Sequence, residues 1–247
     1  AASDVYKRQV LYVEVDSFIY YNSSQVANVN DLKSKITTSL TSYATSSDLN
    51  RFGGRFKYSK VLNVIDNIDK SITSNITRVK IRRNLNALIN QFAQYELCFG
   101  NRFNVKPEGL NIKSTGFRIQ GQSDTVFITD TPNADKLTGV ISIVKRDETT
   151  GTNIVVVKSA GTVDYVHGEV NLTTINIVST DKPNNIVEVQ AFPDSNDVIG
   201  LQDLYLEFNI PNSTINMVKD TITSGEQISG VGYKVTSSYA NGDLTRT

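Results

Sequence analysis

The stretch LNRFGGRFKYSKVLNVIDNIDKSITSNITRVKIRRNLN (49–86) switches its hydrophobic period partway along, and that switch decides the fold class. After the double glycine, Ser59 can cap a helix on which Val61, Leu62, Ile65 and Ile68 make one apolar face. The polar SITSN closes it. TRVKIRR (77–83) then alternates: Thr77, Val79 and Ile81 face inward, while Arg78, Lys80 and Arg82 face out. Gly53 and Gly54 sit among the cations Arg51, Arg55, Lys57 and Lys60, which raises the question of a phosphate cradle. Phosphate loops join a strand to the start of a helix. These glycines fall between two helices, where a positive backbone angle or a close chain crossing is the simpler need.

Upstream, Leu11, Val13 and Val15 alternate with Tyr12, Glu14 and Asp16, a half-buried strand. Asn30 can cap the next helix, whose stripe is Leu32, Ile36, Leu40 and Tyr43 and which frays in TSYATSSDLN (41–50). The order strand, helix, helix, strand predicts two helices over one face of a small sheet. Beyond about residue 90 the helical period disappears. Short alternations follow, among them TVFIT (125–129), GVISIVKR (139–146), EVNLTTINIV (169–178), NIVEVQAF (185–192), LYLEFNI (204–210) and GYKVTSSY (232–239). Turn signals such as TPNAD, ETTGTN, DKPNN and PDSND separate them. The expected class is α+β. A small strand-helix-helix-strand α/β domain over 10–90 precedes a larger antiparallel, β-rich, sandwich-like domain over 91–247. The chain opens without methionine, and SDVYKRQ resembles translated adaptor sequence, so residues 1–9 are set aside as a non-native leader.

Composition is that of a globular chain, 39% hydrophobic and 20% charged, and no run of 18 apolar residues occurs. The single cysteine, Cys98, excludes an internal disulfide. The zero net charge hides an asymmetry. Residues 51–90 hold nine Lys or Arg against Asp66 and Asp69, whereas residues 181–226 hold eight acids against Lys182 and Lys219. Nucleic-acid binders usually leave their positive excess uncompensated. Opposed patches suit subunits that meet with complementary fields.

Catalytic constellations are scarce. The one imidazole, His167, stands in a turn beside Gly168, and Cys98 in YELCFGN reads as a small apolar residue. One His and one Cys cannot furnish a zinc site. Asp194 with Asp197, or Asp130 with Asp135, could meet calcium, but neither pair follows an EF-hand loop and both suit turns. GEQISGVG (225–232) lacks the Lys-Ser/Thr of a phosphate loop. No enzyme, cofactor or metal is expected.

The run 49–86, with YELCFGNRF, DYVHGEVNL and AFPDSNDVIGLQDLYLEF in support, resembles the baseplate wedge protein of T-even-like contractile-tailed phages, part of the wider baseplate J-like family. The resemblance extends over 10–247, and the family's long N-terminal part is absent. It implies a structural virion protein of the tail baseplate, made in the host cytoplasm, that forms a homodimer or ring and contacts other baseplate wedge proteins. No nucleic acid and no membrane are expected as partners. Charge places the interface on Arg51, Arg55, Lys57, Arg78, Lys80, Arg82 and Arg83. The alternative is a carbohydrate-binding or hydrolytic β domain of a tail fibre or lysin, with Tyr165, Tyr205, Tyr233 and Tyr239 standing in for the missing tryptophan.

Overall fold

A computed structural model describes residues 9–46 and 49–222, with the backbone at 239–240 and 243–244. It opens with β1 (Val10–Tyr21), α1 (Val29–Ala44), the short β2 (Arg55–Phe56), α2 (Tyr58–Asp66) and β3 (Ile72–Asn86). This is the expected strand-helix-helix-strand order with one small strand added. β1 and β3 pair antiparallel, Val13 opposite Ile81 and Val15 opposite Val79. Leu11, Val13, Val15 and Ile81 are fully buried, as period two requires. Leu32, Ile36, Leu40 and Ala44 make the buried stripe of α1, and Val61 and Ile65 that of α2. α2 packs against α1 and β3, and α1 also reaches the edge of the same sheet. The cap of α1 is Asn28, whose side chain accepts from the N–H of Asn30, two residues before the expected position.

The chain continues through β4 (Phe92–Cys98), β5 (Lys113–Ser114), β6 (Phe117–Ile119), β7 (Val126–Pro132), β8 (Thr138–Arg146), β9 (Asn153–Asp164) and β10 (Glu169–Thr180). β11 (Ile186–Ala191), β12 (Val198–Ile199), β13 (Tyr205–Phe208) and β14 (Thr214–Lys219) follow. The expected sandwich is instead a barrel. β6, β7, β8 and β9 pair in sequence, and β10 closes the ring by pairing with both ends of that series, with β4 along its side. Between those two pairings the register of β10 with β4 shifts, at Leu172–Ile175. Its first half pairs with β9, Glu169 opposite Asp164, and its second half with β6, Thr180 opposite Phe117. Gly161 permits the seam, since a Cβ there would lie 2.1 Å from the Asn171 carbonyl oxygen.

The expected division at residue 90 does not follow the division between sheets. β5, β11, β13 and β14 all come later in the chain, yet they complete the sheet of β1 and β3, in the order β13-β1-β3-β11-β5 with β14 also on β1. One buried apolar cluster runs through both sheets, from Val13 and Ile36 to Ile143 and Val170. GYKVTSSY and GEQISGVG lie outside the described residues, apart from the backbone of Tyr239.

Candidate functional site

The double glycine is a chain crossing. Leu49 and Phe56 are buried on either side of it. Between them the backbone meets residues 199–202: the N–H of Gly53 donates to the Leu201 carbonyl at 3.1 Å, and that of Gly200 to the Gly54 carbonyl at 2.7 Å. Gly53 has φ +62, the left-handed region, while a Cβ on Gly54 would stand 2.1 Å from the Leu49 carbonyl oxygen. The two glycines serve different needs.

The crossing sets β2 against β12, Phe56 opposite Val198 and Arg55 opposite Ile199. The first pair is buried and the second points outward. An open hollow of about 640 Å³ results, lined by Tyr43, Arg51, Gly53, Arg55, Lys57 and Lys60. Among the described residues no acid pairs with Arg55, Lys57 or Lys60. Beside the crossing, Phe52 is 49% exposed, Ile199 51% and Leu201 36%, with the Phe52 ring edge-on to Tyr205 at 5.4 Å. Of these side chains, the aromatic and the arginines are of types enriched at protein–protein interfaces, while lysine is depleted there.

Not every expected interface residue is on that surface. Arg51, Arg55 and Lys57 are, and Arg78 is exposed elsewhere on β3. Lys80 bonds Asp16 at 2.8 Å. Arg82 and Arg83 are interior and are removed from the set, each being only 5% exposed. The outward row of β3 holds Arg82 opposite Tyr12, and there it bonds Glu14 at 2.5 Å and Glu188 at 3.2 Å, with its guanidinium 4.1 Å from the Tyr12 ring centre. Such a desolvated cation is retained by its two carboxylates. Arg83 points to the other side and donates to the Cys98 carbonyl and to Gln9; burial pulls its pKa down.

Part of the acidic segment 181–226 is engaged inside the chain. Glu188 meets Arg82, Asp220 accepts from Thr73 at 2.7 Å, and Asp197 accepts from the backbone N–H of Tyr58 at 2.8 Å. That last bond serves the start of α2, whose cap position is Lys57 and not the expected Ser59.

The remaining chemical candidates have structural occupations. His167 is in the turn, its Nδ1 2.8 Å from Asp164, which holds the imidazole pKa above its ordinary value. Asp130 is buried and accepts from the Tyr165 hydroxyl and the Ile112 N–H, both at 2.7 Å. Burial and that carboxylate push the Tyr165 pKa far up. Asp135 accepts from the N–H groups of Leu137 and Thr138, and Asp194 pairs with Arg102 at 3.4 Å. Cys98 is half-buried, and burial raises its thiol pKa. Among the described residues no three His, Cys, Asp or Glu converge as a metal site, and no helix is long and apolar enough to cross a membrane. Of the tyrosines considered for sugar stacking, Tyr165 is buried and Tyr205 is tied to the Asn50 carbonyl at 2.6 Å. The Tyr233 and Tyr239 side chains lie outside the described residues.

Phe52, Ile199 and Leu201 were not among the expected interface residues. Their signal in the sequence is slight: an aromatic before the double glycine, and two aliphatics flanking Gly200 after an acidic turn.

Residues 9–84 match the family described as baseplate structural protein gp6, C-terminal domain III. The match takes in β1, both helices, the glycine crossing and nearly all of β3. No curated protein matches the chain. The match supports a structural component of a phage tail baseplate and interaction with other baseplate proteins.

Proposed function

We propose that this chain is a wedge subunit of a contractile-tail baseplate, related to the baseplate J-like proteins. It acts without catalysis, by self-association and by contact with other wedge proteins. The carrying observation is that the region similar to a baseplate structural protein contains the hollow of Arg51, Arg55, Lys57 and Lys60. Its cations would engage an acidic surface on a neighbour while Phe52, Ile199 and Leu201 exclude water from the contact. Partner recognition that relies on exposed cations speeds association at low salt and loses strength as salt screens them.

The test is sedimentation velocity of the chain alone and mixed with the other baseplate proteins of the same phage. Mixed species that weaken between about 50 and 200 mM salt support the reading. Retention on duplex DNA or on cell-wall glycans, with no mixed species, contradicts it.

A further inference from the structure

Two strands lie along one side of β1, and among the described residues only one of them has its outer edge occupied. On β13, the Leu206 N–H donates to the Arg51 carbonyl at 3.0 Å and the Phe208 N–H to Asn50 Oδ1 at 2.9 Å. β14 pairs in parallel with β1 from Asp16↔Thr214 to Tyr21↔Lys219, with no register shift. Among the described residues nothing hydrogen-bonds the other side of Thr214–Val218. Alternate N–H and C=O groups of these five residues therefore point outward without partners among the described residues. TINMV (214–218) contains no proline, no charge and no bulge, and the one charge of β14 is Lys219 at its end.

A groove of about 520 Å³ runs beside this edge, between β14 and α1. Phe208, Ile210, Pro211 and Ile215 give it apolar surface beside the polar Thr37 and Thr41, and Lys33 is the one charged residue along it. Lys33 is exposed and has no ion pair among the described residues.

We propose that β14 is completed by an extended segment of another protein, added as the next strand of the sheet. Main-chain hydrogen bonds to Thr214–Val218 would hold it, with alternate apolar side chains seated in the groove and a carboxylate beside Lys33. A second copy of this chain fits less well. It would offer the same uncharged strand and another Lys33, cation toward cation with no acid between. The inference stands on the strand's geometry and does not depend on the baseplate reading.

The test uses the full chain labelled with nitrogen-15 and two nonapeptides of alternating Val and Thr, one ended by Glu and the other by Lys. The Glu-ended peptide should shift the amides of Thr214–Val218 and slow their hydrogen exchange. At low salt the Lys-ended peptide should bind about threefold more weakly. Lys33→Glu, at an exposed helix position that leaves the fold intact, should reverse the order. Three outcomes overturn the proposal: amides of 214–218 already protected in the chain alone, protection that appears only on raising protein concentration, or no shift with millimolar peptide. Equal binding of both peptides, unchanged by Lys33→Glu, overturns the acidic partner.

Discussion

Asp197 accepts a hydrogen bond from the backbone N–H of Tyr58 at 2.8 Å, across 139 residues of sequence. The first turn of α2 has no acid of its own and no side-chain cap, so a carboxylate from the β12 side satisfies one of its orphan donors. Asp197→Ala should cost about 1 kcal/mol, and Asp197→Asn less, because the amide oxygen can still accept. Thermal unfolding should register the alanine as a drop of about 2–4 °C for a chain of this size. No drop would show the contact to be incidental.

Arg82 answers to two carboxylates at once, Glu14 and Glu188. Arg82→Met leaves Glu14, itself 4% exposed, as a buried charge without a counter-ion. Urea unfolding should report a loss of about 3–5 kcal/mol. Adding Glu14→Leu should restore a good part of that loss. Additive losses in the double variant would show that the two side chains are not coupled.

The two glycines of the crossing should fail differently. Ala at Gly53 meets only a left-handed φ, worth about 1–2 kcal/mol, and Asn there should be tolerated. Ala at Gly54 drives a methyl against the Leu49 carbonyl, and Asn should be no better than Ala. If Asn rescues both positions equally, the crowding at Gly54 is not real.

His167 and Asp164 make a pH-dependent pair. The His167 pKa is raised, chiefly by its hydrogen bond to Asp164, so its share of the pairing is complete below the ordinary imidazole value and is lost as pH rises through the folded value. Asp164 is lowered, chiefly by the same bond, so its share is present above the ordinary carboxyl value and is lost as pH falls through the folded value. The pair is fully formed between about pH 4 and 6.5. In a proton NMR titration, Asp164→Asn should lower the His167 midpoint. An unmoved midpoint would contradict the pairing.

The helices and the β1–β3 pair were legible because one-sided burial writes its period into the residues, as in Leu32–Ile36–Leu40 and Val79–Ile81. Barrel closure was not, because it depends on β10 passing from β9 at Leu172 to β6 at Ile177, and a change of partner carries no period. Arg82 and Arg83 were misread for a related reason. Alternation tells which residues share a face, but both faces of β3 are occupied at this end, by Glu14, Glu188 and Tyr12 on one side and the Cys98 carbonyl on the other. The charge asymmetry has an intramolecular part: Glu188 comes to Arg82 and Asp197 to the N–H of Tyr58. What folding leaves exposed, Arg55, Lys57 and Lys60 beside Ile199, was visible only as cations near two glycines.

We propose that the surface at the glycine crossing holds a neighbouring baseplate protein. The direct measurement is sedimentation velocity of the Arg55→Glu/Lys57→Glu double variant with companion baseplate proteins, with circular dichroism as the check on folding. The account predicts a native spectrum and loss of the mixed species at low salt. A native spectrum with the mixed species undiminished would contradict it.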